Sequence, residues 1–196
     1  MLKRLALAFL LALSLPASAE DAPDLGAPVP VAPPAKPAEL RSDQLDSLFA
    51  RLRQPGVDSS DVERQIWQLW GASDSATATI LLEQSERAMN DGAPAEALAM
   101  LDRLIGAFPG FAEAWNKRAT LYFMMKRYDA SLADIAHTLD LEPRHFGALA
   151  GKGMILMRQK DYAGARAAYE EALAVNPNLE QVKEALKELD RLEQGI

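Results

Sequence analysis

The chain contains no cysteine. That excludes disulfides, thiol chemistry and a lipid anchor on cysteine, so stability has to come from side-chain packing. Histidine is nearly absent, with only His137 and His145. Neither has the spaced carboxylate or third ligand that a metal site needs. HExxH, GxSxG, Walker and CxxC motifs are all missing, and with them the usual sequence signs of an enzyme. No catalytic, cofactor or metal residue is therefore expected. Gly151-Lys152-Gly153 falls inside a helical pattern, where glycine permits close packing and cradles no phosphate. Basic residues are in the minority: 21 Lys and Arg against 28 Asp and Glu give a net charge of −7. Such a chain is a poor general ligand for nucleic acid or anionic lipid. Beyond Leu15 no apolar run is long enough to span a bilayer.

What is present begins with a leader. Lys3-Arg4, an apolar run from Leu5 to Leu15, and Ala17-Ser18-Ala19 form the pattern of a secretory signal peptide. Cleavage is expected after Ala19, giving a periplasmic protein with no membrane span. From Glu20 to Ala38 six prolines alternate with Ala and Val. This segment favours extended polyproline II over a core. It reads as a disordered linker, a spacer or an exposed Pro-rich ligand.

The centre of the chain is periodic. Pro109, Pro143 and Pro177 are each 34 residues apart (143 − 109 and 177 − 143), and a fixed period of that length signals a repeat architecture. Cut at this period, the units are 78–111, 112–145 and 146–179. Large residues recur at the fourth offset (Leu81, Trp115, Leu149) and the twenty-fourth (Leu101, Ile135, Tyr169). Small ones recur at the eighth (Ser85, Ala119, Gly153) and the twentieth (Ala97, Ser131, Ala165). Two tightly packed antiparallel helices require such alternation. Each unit reads as two helices closed by proline, which cannot continue the preceding helix. The seventh offset is polar throughout: Gln84, Arg118 and Lys152.

Ala112 to Trp115, Tyr122, Tyr128-Asp129 and Leu141-Glu142-Pro143, with Gly153, Tyr162, Ala165, Tyr169, Ala172 and Pro177, resemble the tetratricopeptide repeat. The resemblance covers about half the chain and implies an all-α, right-handed solenoid of helical hairpins. The family usually has Leu where this chain has its polar seventh offset. Before the repeats, residues 39–75 read as a divergent helical hairpin covering the first repeat. One apolar stripe holds Leu45, Leu48, Phe49 and Leu52, and a second holds Val62, Ile66, Trp67, Leu69 and Trp70. Ser60 and Glu63 have capping-box spacing. Trp67 and Trp70 are expected to pack against the first repeat. After the repeats, residues 180–196 read as a capping helix with one apolar side, which Gly195 can close.

The resemblance also implies a concave groove lined by the first helix of each unit. At its usual offsets stand Met89, Asn116, Lys117, Thr120, Phe123, Met124, Met154, Met157 and Arg158. Methionine suits adaptable apolar contact, and Lys117 and Arg158 are expected to orient a partner through its carboxylates. Relatives that capture chaperone C-termini use a Lys/Asn clamp, but Leu82 and Glu86 stand at its first two positions. The expected role is a protein- or peptide-binding scaffold or adaptor of a bacterial envelope. The alternatives are a structural self-associating homo-oligomer and an accessory subunit of an envelope enzyme complex.

Overall fold

The structure, a computed structural model, describes residues 37–194. The leader Met1–Ala19, the linker up to residue 36 and Gly195 lie outside them. The described residues form nine α-helices and no strand: α1 (Pro37–Leu52), α2 (Ser59–Gly71), α3 (Ala76–Asn90), α4 (Pro94–Ala107), α5 (Ala112–Met124), α6 (Tyr128–Leu141), α7 (Phe146–Gln159), α8 (Tyr162–Val175) and α9 (Glu180–Gln194). This is an all-α helical repeat fold. None of these helices is long and apolar enough to cross a membrane.

Three antiparallel pairs, α3–α4, α5–α6 and α7–α8, are the repeat units, and each packs on the next. Small residues sit where backbones approach: Ser85, Ala97, Ala119, Ser131 and Ala165 are all buried. Ser131 Oγ donates to the Ala119 carbonyl at 2.7 Å, so its hydroxyl is satisfied inside the pair. The turn inside each pair holds a left-handed residue at the same offset: Gly92 (φ 70°), Lys126 (φ 58°) and Lys160 (φ 63°). Glycine takes this conformation freely, whereas each lysine costs about 1 kcal/mol.

The polar seventh offset has a structural use in the second repeat. Arg118 on α5 makes two bonds to Asp134 on α6 (Nε 2.7 Å, Nη2 2.9 Å) and one to Asp102 on α4 (Nη1 2.7 Å). Its hydrogen bond to Asp134, foremost, raises its pKa and keeps it charged. One guanidinium thus ties together two repeats.

α9 lays Val182 and Leu189 into the last pair and turns its charged residues to water, which shields the apolar end of the array.

The N-terminal hairpin differs from its sequence reading in three ways. α1 begins at Pro37, inside the expected linker, because the first helical turn needs no N–H from proline. Asp58 caps α2, accepting from the backbone of Ser60 (3.0 Å) and Asp61 (3.4 Å), so Ser60 lies within the helix and the Ser60–Glu63 capping box does not form. Most consequentially, the hairpin does not stack on the first repeat. It seats against the start of α7 and the turn between α8 and α9. Its core joins Leu45, Leu48, Phe49, Leu52, Val62, Ile66 and Trp70 to Phe146, with Val175 and Leu179 alongside. Without the small residues that repeat pairs use to interlock, its large apolar face has to find a surface that already offers space.

Candidate functional site

That space is at Gly147, in the first turn of α7. A Cβ there would lie 2.5 Å from the Trp67 ring, so only glycine admits the indole in this position. Trp67 meets Trp70, His145 and Phe146 edge-on, with ring centroids 5.2, 5.3 and 5.5 Å apart. Trp70 stacks flat on His145 at 4.0 Å and 12°. Polar ties hold the hairpin to the turn between α8 and α9: Asn178 Nδ2 donates to the Leu52 carbonyl at 2.8 Å, and Asn176 Nδ2 to Glu63 at 3.0 Å. Arg144 bonds Asp46 at 2.5 Å and lies over the Phe49 ring.

Beneath the hairpin is a buried polar group: His145 has a satisfied structural role, with partners that its place in the sequence does not indicate. His145, fully buried, accepts from the Ala148 backbone N–H through Nδ1 at 3.1 Å and so caps α7. Its Nε2 carries the proton and donates to Glu113 at 3.0 Å. Glu113 is only 2% exposed and also accepts from Asn116 Nδ2 at 3.2 Å. Lys117 pairs with Glu113 at 3.4 Å and with Glu86 at 2.7 Å. Burial opposes its charge, but Glu113 and Glu86 together outweigh that and hold its pKa above the ordinary lysine value. Glu113 stands in the first turn of α5, the helix that also supplies Asn116 and Lys117. The hairpin covers Glu113, and a covered carboxylate needs partners.

Beside the hairpin the groove remains open as a cleft of about 690 Å³. α5 contributes Asn116, Thr120, Phe123 and Met124, and α7 contributes Gly147, Ala150, Gly151 and Met154. Trp67 and Glu63 of α2 form one wall, and Asn178 to Val182 at the start of α9 form another. Met124 and Met154 are 60% and 46% exposed, so apolar surface stands uncovered where a second molecule can reach it.

The structure therefore brings together five of the nine expected residues: Asn116, Thr120, Phe123, Met124 and Met154. The other four lie elsewhere. Met89 packs with Leu101 and Leu121 between the first two units. Met157 packs with Leu156 and the helices of the last pair. Lys117 already holds two carboxylates of its own chain and offers no free charge to a partner. Arg158 is exposed near the end of α7 and does not line the cleft. Of the residues that do line it, Glu63, Trp67 and the start of α9 were not foreseen, because their place depends on where the hairpin docks. Among the described residues no group of three or more His, Asp or Glu is arranged to hold a metal ion.

Comparisons with known proteins agree with this architecture. Two tetratricopeptide repeat models match, over residues 82–136 and 146–179. A TPR domain of Spaghetti (RPAP3) solved with the HSP90 peptide SRMEEVD superposes with a TM-score of 0.59 at 21% identity, covering 62% of this chain and 96% of that one. The crystal structure of MamA protein covers 81% of this chain and 84% of its own, with a TM-score of 0.56 at 18% identity. At these identities the likeness is one of fold. Among curated proteins, rat DnaJ homolog subfamily C member 3 is 27% identical over 108 residues, 55% of this chain and 21% of its own length. A TPR repeat-containing protein of Rhizobium etli is 40% identical over 137 residues, 70% of this chain and 67% of its own. This chain belongs to the tetratricopeptide repeat family.

Proposed function

We propose that this protein is a non-catalytic binding scaffold of a bacterial envelope, and that it takes a protein or peptide segment into the cleft between α5, α7 and α9. The observation that carries this reading is the uncovered apolar floor. Phe123, Met124 and Met154 surround Gly147, Ala150 and Gly151, so the cleft has adaptable apolar walls and room for a side chain between them. A TPR domain of the same fold holds a peptide, which supports a peptide as the occupant. The repeat family and the buried, internally satisfied state of Glu113 and His145 support a binding role over a reaction. The location follows from the leader: export removes Met1–Ala19, and the mature chain begins at Glu20. The intact mass of the chain recovered from periplasm reads that cleavage directly.

Gly151→Leu tests the site. Leucine at this position fills the cleft without adding charge. A crosslinked pull-down from envelope extract, with residues 20–196 as bait, should capture a partner that the Gly151→Leu bait loses. Circular dichroism should show both baits folded. A partner held equally by both baits would move the site off this cleft.

A further inference from the structure

We infer that the cleft selects a segment carrying a bulky apolar side chain next to lysine or arginine, and that it disfavours acidic segments. This rests on the peptide-binding reading above and adds the partner's charge to it. The floor is apolar, but the charged groups around it are acidic on balance. Glu63 on the α2 wall accepts a hydrogen bond from the neutral Asn176 amide. It has no cationic partner among the described residues, and it is half-buried beside the Trp67 indole. A carboxylate on a low-dielectric wall projects its field into the cleft more strongly than one in open water.

Glu180 lies on the opposite wall, in the first turn of α9. Among the described residues its one ion pair is with Lys183, at 2.7 Å and exposed, with a weaker attraction to Lys187, and such exposed pairs contribute little and exchange readily. Lys117 on α5 is outnumbered by Glu86 and Glu113. Neither Lys152 nor Arg158 lines the cleft. An incoming lysine or arginine beside an apolar anchor thus meets Glu63 in a charge-assisted hydrogen bond. An acidic residue in the same place meets like charge, which discriminates against it.

Three fluorescein-labelled peptides of one design test this, each with a central leucine flanked by lysine, glutamine or glutamate. In fluorescence anisotropy at low salt, the lysine peptide should bind about tenfold more tightly than the glutamine one, with the glutamate peptide weakest, and added salt should narrow the gap. Glu63→Gln should remove most of the lysine advantage. Gln retains an oxygen for the Asn176 amide, so folding should be spared. Gly151→Leu should weaken all three peptides.

Equal binding of the three peptides, lost in Gly151→Leu, would overturn the charge preference and leave the peptide-binding cleft standing. A lysine preference that survives both substitutions would reflect diffuse attraction to an acidic chain and would overturn the inference. No binding by any peptide would overturn the peptide-binding reading and this inference with it.

Discussion

Replacing Trp70 with alanine should lower the free energy of unfolding by about 3–5 kcal/mol, the range for deleting a large aromatic side chain from a core. Trp70 is 7% exposed and joins the two halves of the hairpin seat. It lies against Phe49 of α1 at 6.1 Å, stacks on His145 at 4.0 Å and meets Phe146 at 5.0 Å. Alanine would empty the space between α2 and the start of α7, and His145 would lose the face that covers its bond to Glu113. Trp70→Phe should behave differently. The indole Nε1–H is buried with no hydrogen-bond partner among the described residues, and removing an unsatisfied donor offsets part of the lost volume. Its expected cost is below about 1.5 kcal/mol. Urea unfolding followed by circular dichroism measures both. A loss below about 1 kcal/mol for the alanine variant would contradict a hairpin seated on α7, since that seat depends on this ring.

Two glycines on α7, two residues apart, should respond with opposite signs. Gly153→Val should destabilise the protein by about 3 kcal/mol, the upper part of the usual overpacking range. A Cβ at Gly153 would come within 3.0 Å of three Tyr169 ring atoms. Tyr169 is itself 3% exposed and cannot swing away. Gly151→Ala should instead stabilise by up to about 1 kcal/mol, because mid-helix glycine is poorer than alanine by that amount. The nearest atom to its new methyl is Ile135 Cδ1 at 3.6 Å, an ordinary contact. Thermal or urea unfolding of the two variants shows the contrast. Equal effects would mean that α7 and α8 are not in this register.

The repeat register was legible because it is local and periodic. Ser85, Ala119 and Gly153 are buried where small residues were needed, and Leu101, Ile135 and Tyr169 fill the matching large positions. Trp67 and Trp70 were legible as packing residues, but their partners were not. His145, Phe146 and Gly147 lie far along the chain, and nothing in the hairpin's pattern points to them. The groove residues divide on the same ground. A family offset predicts which face of a helix a residue occupies. It does not predict what another element lays over that face. Asn116 and Thr120 therefore line the cleft as their offsets imply. Glu113 and Lys117, on the same helix, close beneath the hairpin into a network with His145, Asn116 and Glu86. Met89 went to packing between the first two units, and Met157 to packing within the last pair and against α9, because each stands where a neighbouring helix needs volume.

The methionines provide the most direct test of the cleft. The chain has seven, and six of them lie among the described residues. Of these six, only Met124 and Met154 line the cleft. With methyl-13C methionine in the protein, each gives its own NMR signal. Addition of the lysine-flanked leucine peptide should shift the Met124 and Met154 methyls along one saturation curve. Met89, Met100, Met125 and Met157 should stay in place as internal controls. Shifts at Met100 or Met125 with Met124 and Met154 unmoved would place the binding surface elsewhere on the repeats and contradict the account.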